Sequence, residues 1–352
     1  LEALFIKFNN HPAPPKVGVT AAESGTYTDF ANITLGGVRA DGSDGSNAVT
    51  DLLLDVIEEL HLLQPSTNLL LSDVTPDAVL ARALEVIRRG FGFPSLFNNE
   101  MVVEQQLRVG KTPADARAGG CSGCVETGAF GKESCVLTGY FNLPKILELT
   151  LHDGIDPRTG NRLLPSIGLE TGTLEDFDSL FAAFEQHLSN AIEVKLEGNG
   201  VIERIYADSM PAPFLSVLID DCITNGRDYN SGGARYRNRY VQMVGIGTIT
   251  DSLSAIQTLV FEEDLLSLES LLAILDRDFA GNEPLRQRLL NRTPRWGNDD
   301  DRADDLMSRV FNAAVGMVDG QPSVTGGKYR VQMLPTTCHV YFGAVTGATP
   351  DG

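Results

Sequence analysis

With 352 residues, 42% of them hydrophobic and 21% charged, the chain has the composition of a soluble globular protein and is long enough for one large domain or two ordinary ones. A formal net charge of −19 argues against nucleic acid or an anionic membrane as partner. No apolar run reaches membrane-spanning length, and Leu1-Glu2-Ala3 lacks the basic start and long apolar region of a signal peptide.

Leu4-Phe5-Ile6-Lys7-Phe8 reads as a strand. Pro12, Pro14 and Pro15 keep the next stretch out of a helix interior. Asp41-Gly42 and Asp44-Gly45 are turn chemistry. Residues 47–63 predict an amphipathic helix with Val49, Leu52, Leu53, Val56, Ile57 and Leu60 on one face. Leu69 to Ser72 predicts a short strand. Thr75 is the expected cap of a helix with Pro76 at its first position and Gly90 as its stop. Phe91 to Phe97 reads as a connection or strand, Asn98 to Arg108 as a helix, and Thr112-Pro113 as a short turn.

Beyond residue 144, Pro144 to His152 predicts a helix. Thr173 is the expected cap of a long helix over 174–194, with Phe177, Leu180, Phe181, Phe184, Leu188 and Ile192 inward. Ala212 to Asn225 reads as helix. Asp228 to Tyr240 is polar, and its Gly232-Gly233 is a weak anion-loop signal. Overall acidity counts against a nucleic-acid role for Arg235, Arg237 and Arg239. Val244 to Thr250 predicts a strand, with a helix starting at Asp251 or Ser252 and another over Leu265 to Phe279. The run Asn298 to Asp301 lacks calcium-loop spacing and suits the N-terminus of a helix over 302–318. Tyr329 to Met333 and His339 to Phe342 predict strands. Helices alternating with short strands make the class α/β.

Five cysteines stand at 121, 124, 135, 222 and 338. An odd count without an export signal predicts a reducing cytoplasm. Cys121 and Cys124 form a CxxC pair. No second CxxC and no close histidine pair completes a zinc site, so no metal is expected. A thiol–disulfide role for the pair stays open. Cys121, Cys135, Cys222 and Cys338 are expected to be inert core residues. The most chemistry-shaped stretch runs from Gly119 to Pro144. It holds Cys124 two residues before Glu126, with glycines at 119, 120, 123, 128 and 131. In extended chain that spacing puts thiol and carboxylate on one side, and glycine lets a substrate approach the backbone.

Gly123-Cys124-Val125-Glu126 resembles the cysteine loop of the glycyl radical enzymes, in their dehydratase and eliminase branch. Thr127, Phe130 to Glu133 and Leu137 to Tyr140 are closer to the trans-4-hydroxy-L-proline dehydratases. Diol dehydratases and choline lyases usually carry Pro at the place of Thr127. Phe5 to Asp29, Arg235 to Ser252 and Val331 to Gly343 share the likeness. It implies a ten-stranded, pyruvate formate-lyase-like α/β barrel in two parallel halves, with the cysteine loop inside. Residues 1–352 would be the central part of that domain. An N-terminal helical region and the glycyl radical segment would lie outside it, since the family's Arg-Val-(Ala/Ser)-Gly-Tyr motif does not occur here.

The same resemblance implies catalytic roles for Cys124, as a thiyl radical, and Glu126, as proton carrier. It implies substrate contacts for Ser24, Phe30, Tyr140 and Thr336. The expected reaction is dehydration of trans-4-hydroxy-L-proline to 1-pyrroline-5-carboxylate. No bound cofactor is implied, only a protein-based glycyl radical installed by a radical S-adenosylmethionine activating enzyme. A homodimer and anaerobic life are implied as well. Glycerol or 1,2-propanediol dehydration, or a catalytically silent fragment, are the alternatives. Formate acetyltransferase fits less well, because that family uses adjacent cysteines and Gly123 precedes Cys124.

Overall fold

The computed structural model describes residues 1–10, 31–122, 125–134, 136–169, 172, 174–334 and 338–352. The chain divides into two units, Leu1–Cys135 with Met210–Arg237, and Val136–Ser209 with Asn238–Gly352.

The first unit begins with helix α1 (Glu2–Asn9), where the sequence predicted a strand. A five-residue apolar run fits either element. Here only Phe5 is buried, and Glu2 in the first turn and Lys7 in the last suit the helix dipole. Strand β1 (Asn32–Gly36), helix α2 (Ala48–Leu60), strand β2 (Ser66–Leu71), helix α3 (Asp77–Arg88) and strand β3 (Ser95–Asn98) follow. The three strands are parallel in the order β1-β2-β3. Leu35 and Leu69 meet Leu53, Leu54 and Ile57 of α2 and Val79, Ala83 and Val86 of α3 in one core.

Two details differ from expectation. The buried stripe of α2 is Thr50, Leu53, Leu54, Val56 and Ile57, whereas Val49 and Leu52 are exposed. Seven apolar positions on one helix fit two overlapping faces, and the core chose the one containing Leu54. Thr75 does not cap α3. Its hydroxyl accepts the Ser72 amide (3.0 Å), and Pro76 takes the cap position. Helix α4 (Asn99–Arg108) is capped by Asn98, and α5 (Pro113–Arg117) by Thr112, whose hydroxyls or amide oxygens accept early helical amides. Strands β4 (Gly120–Cys121) and β5 (Thr127–Gly128) close this part of the unit.

The second unit starts with β6 (Val136–Asn142), α6 (Leu143–Leu151) and α7 (Phe177–Ser209). Thr173, the expected cap of α7, lies outside the described residues; Asp176 accepts the Ser179 amide (2.8 Å) at the start of the helix. The predicted stripe Phe177, Leu180, Phe181, Phe184, Leu188 and Ile192 is buried throughout, against Leu143 and Leu147 of α6. The chain then returns to the first unit, where the helix expected over 212–225 is only α8 (Pro213–Leu218).

There Gly232-Gly233 closes a turn rather than an anion site. Gly232 has φ +81, the Gly233 amide donates to Asp228 O (3.0 Å), and a Cβ on Gly233 would overlap the Arg227 carbonyl. We expect Gly233→Ala to lower stability by roughly 2 kcal/mol, read from urea midpoints; an unchanged midpoint would mean the turn can relax.

The second unit resumes with β7 (Asn238–Val244), α9 (Ile246–Ile256), α10 (Leu268–Leu275), α11 (Glu283–Arg292), α12 (Asp301–Val318), β8 (Lys328–Met333) and α13 (His339–Val345). Its strands are parallel in the order β6-β7-β8. The strand expected at 244–250 is thus at 238–244, and Asp251 lies inside a helix. The predicted strand at 339–342 is helical as well. Arg239 concealed β7. It is 2% exposed, and its charge is met by Glu203 on α7 (3.2 Å), which also accepts from Tyr329 (2.5 Å) and Thr325 (3.2 Å). Paired in this way, a charge can sit in a strand buried on both faces.

The resemblance implies ten strands. The described residues supply six parallel strands in two sheets of three, with no closed ring among them. No helix of the described residues is long and apolar enough to cross a membrane.

Candidate active site

Side chains alternate along β1 and β2. Ile33, Leu35, Leu69 and Leu71 face the helices. Thr34, Asn68 and Leu70 face the other way and carry the glycine-rich loop. That loop is a hairpin: Gly120 pairs with Gly128 and Cys121 with Thr127, antiparallel. The Thr34 hydroxyl donates to Cys121 O (2.8 Å). The Asn68 amide donates to Cys121 O (3.2 Å) and Ser122 O (3.0 Å), and also reaches Asn32 Oδ1 (3.2 Å). Gly119 is required by closeness, since a Cβ there would run into Gln106 and Gly128 O, and a Cβ on Gly120 would make a tight 3.0 Å contact with Thr34.

Glu126 is 5% exposed. Its Oε2 accepts from the Ser122 hydroxyl (2.6 Å) and the Val125 amide (3.3 Å), and its backbone carbonyl accepts from Ser122 N–H (2.7 Å). The carboxylate is thus fixed by its own hairpin, as burial of a charge demands. Cys124, Ser24, Phe30 and Thr336 lie outside the described residues. Tyr140 is on β6 in the second unit and is 44% exposed. Cys121 packs with Leu70 and Val102, 1% exposed. Burial, and then the charge of Glu126, push its thiol up to about 12. Without thiolate near neutrality Cys121 is not suited to be the attacking thiol of a dithiol pair. Cys222 and Cys338 are buried too, and Cys135 is outside the described residues.

The residues behind the hairpin gave less warning. Lys111 and Glu133 form an ion pair with both side chains 1% exposed. Lys111 also donates to Gln106 Oε1 (3.0 Å), and Glu133 accepts the Ala129 amide (3.0 Å) at the hairpin's exit. Beside them Asp115 accepts from Lys132 (2.5 Å), the Tyr236 hydroxyl (2.7 Å) and Arg235 (3.2 Å). Lys132, the largest influence, then Tyr236 and Arg235 hold the Asp115 carboxyl well below its ordinary value of 3.8, against the opposing effect of burial. A depressed carboxylate stabilises the fold fully above its unfolded pKa, and that share is lost as pH falls toward the folded one. Urea midpoints should therefore fall as pH drops below about 4, and fall less steeply in Asp115→Asn. Equal slopes would remove Asp115 from the acid limb.

Parallel βα crossovers that carry, on the face away from their helices, a clamped glycine hairpin with a buried carboxylate define an α/β protein organised around that hairpin. The sequence profile of the pyruvate formate lyase-like family matches residues 1–343, and the chain belongs to that family. It is 54% identical over 355 residues to trans-4-hydroxy-L-proline dehydratase of Clostridioides difficile, covering 100% of this chain and 44% of that protein. The crystal structure of that organism's hydroxyproline dehydratase with substrate trans-4-hydroxy-L-proline bound superposes with a TM-score of 0.96, over 99% of this chain and 44% of the other, at 52% identity. The glycerol-bound B12-independent glycerol dehydratase of Clostridium butyricum gives 0.92 at 31% identity, over 99% of this chain and 44% of that one. The chain thus spans less than half the length of the relatives it matches.

Proposed function

We propose that these residues carry the catalytic loop of a hydro-lyase that converts trans-4-hydroxy-L-proline to 1-pyrroline-5-carboxylate and water. The observation that carries the reading is Glu126: a buried carboxylate held by Ser122 and Val125, two residues from Cys124, in a chain 54% identical to an enzyme named for this substrate. The hairpin's close backbone packing, which tolerates no Cβ at Gly119, suits a loop that must hold a reactive sulfur still. A protein-based glycyl radical, expected outside these residues and installed by a radical S-adenosylmethionine activating enzyme, would take the thiol hydrogen atom of Cys124 and so make it a thiyl.

In the proposed cycle Cys124 takes a hydrogen atom from C5 of the ring. The C4–O bond then breaks and the hydroxyl leaves as water. Glu126 takes one proton from the ring and passes one to that hydroxyl, so it ends as the carboxylate it began as. Cys124 returns its hydrogen atom to the product radical. Ser24, Phe30, Tyr140 and Thr336 are the proposed substrate contacts. Residues 1–352 are read as the central part of one barrel domain of an anaerobic, cytoplasmic homodimer.

The test is an anaerobic assay of the full reading frame, activated in the presence of its activating enzyme. Hydroxyproline should be consumed and pyrroline carboxylate formed, and Cys124→Ala should abolish both. Turnover of glycerol or 1,2-propanediol in place of hydroxyproline would overturn the substrate, and undiminished turnover by Cys124→Ala the chemistry.

A further inference from the structure

Strand β6 carries one residue too many. Leu137 stands opposite Tyr240 of β7, but Tyr140 stands opposite Gln242, so three steps on β6 match two on β7. Beyond the bulge Phe141 faces Met243, and Gln242 pairs with Gln332 on β8. Phe141, Val241 and Met243 all point into the core shared with α6 and α7. By alternation, Tyr140 joins the row Tyr140–Gln242–Gln332 on the opposite face. Were the ladder continued from Leu137 without the extra residue, Tyr140 would stand opposite Met243, on the core face. A one-residue slip moves a strand's whole side-chain set to its other face.

Two groups hold the bulge. The Lys195 ammonium of α7 donates to the Thr138 carbonyl, and the Thr138 hydroxyl donates to the Tyr240 carbonyl (2.9 Å). Gly139 fits both demands of the site, with φ +96 and a Cβ position only 3.0 Å from Lys195 Nζ. Lys195 is half-buried, and desolvation lowers its pKa, so the ammonium gives up hydration to make this bond.

We propose that Lys195 is a positioning residue for the dehydration: bound to the Thr138 carbonyl, it fixes the bulge that presents Tyr140 on the polar face of the β6–β7–β8 sheet. The inference rests on the reading of Tyr140 as a substrate contact. It acts through Tyr140 and needs no contact of Lys195 with the substrate.

The test uses the full-length, activated enzyme. Lys195→Met should raise KM for hydroxyproline about tenfold with kcat within about threefold, the signature of lost binding rather than a lost fold. Lys195→Arg, which keeps the charge and a donor, should restore most of the affinity. In a Tyr140→Phe background Lys195→Met should add little further. Deuterium uptake over residues 138–142 should quicken in Lys195→Met and return in Lys195→Arg. Unchanged uptake over 138–142 would overturn the positioning role whatever the kinetics. If Tyr140→Phe leaves KM unaltered, the substrate role of Tyr140 fails instead, and the uptake measurement decides for or against Lys195 alone.

Discussion

Glu126→Gln should lower kcat by roughly a hundred- to ten-thousand-fold, the usual worth of a positioned proton carrier. The substitution separates chemistry from architecture. A glutamine oxygen can still accept from the Ser122 hydroxyl and the Val125 amide, both of which hold the present carboxylate. The hairpin pairing of Gly120 with Gly128 is backbone only and does not depend on this side chain. What disappears is the ability to lend and recover a proton. The measurement is kcat under anaerobic turnover, with glycyl radical content counted by electron paramagnetic resonance so that poor activation is not mistaken for poor catalysis. A fall below about fivefold at full radical content would remove Glu126 from the proton path.

Lys111→Met should lower unfolding free energy by about 3–5 kcal/mol, the range for breaking one side of a buried ion pair. Lys111 and Glu133 are each 1% exposed, so neither charge has water to fall back on. Methionine fills most of the space but takes the opposite charge away from the Glu133 carboxylate, which keeps the Ala129 amide among its donors. The double variant Lys111→Met with Glu133→Gln leaves no charge at this pair and should recover more than half of the loss. Urea denaturation of both variants checks this. A double variant as unstable as the single one would mean that packing around Lys111, not charge, carries the effect.

Legibility in the sequence followed the kind of interaction. The aromatic stripe of α7 was plain because a helix buries one face, and all six of its expected residues are in the core. Asn98 and Asp300 were readable as helix starts because caps use few residue types. Strand β7 was hidden because Arg239 reads as surface until its partner Glu203, 36 positions earlier on another element, is known. The His339 segment, rich in valine and aromatics, reads as strand and is helix, since propensity yields to context. At the site, Glu126 was visible from its motif beside Cys124. Thr34, Asn68 and Lys111 were not, because nothing in their local sequence announces which loop they will hold.

That last silence has an evolutionary side. Thr34 and Asn68 grip Cys121 and Ser122 by carbonyl oxygens, which every amino acid owns. Such a handle is indifferent to the letters at the hairpin's tip. A lineage can exchange side chains along the hairpin without rebuilding the mount. A glycerol dehydratase that keeps this backbone at 31% identity is what such a division between mount and tip would leave behind.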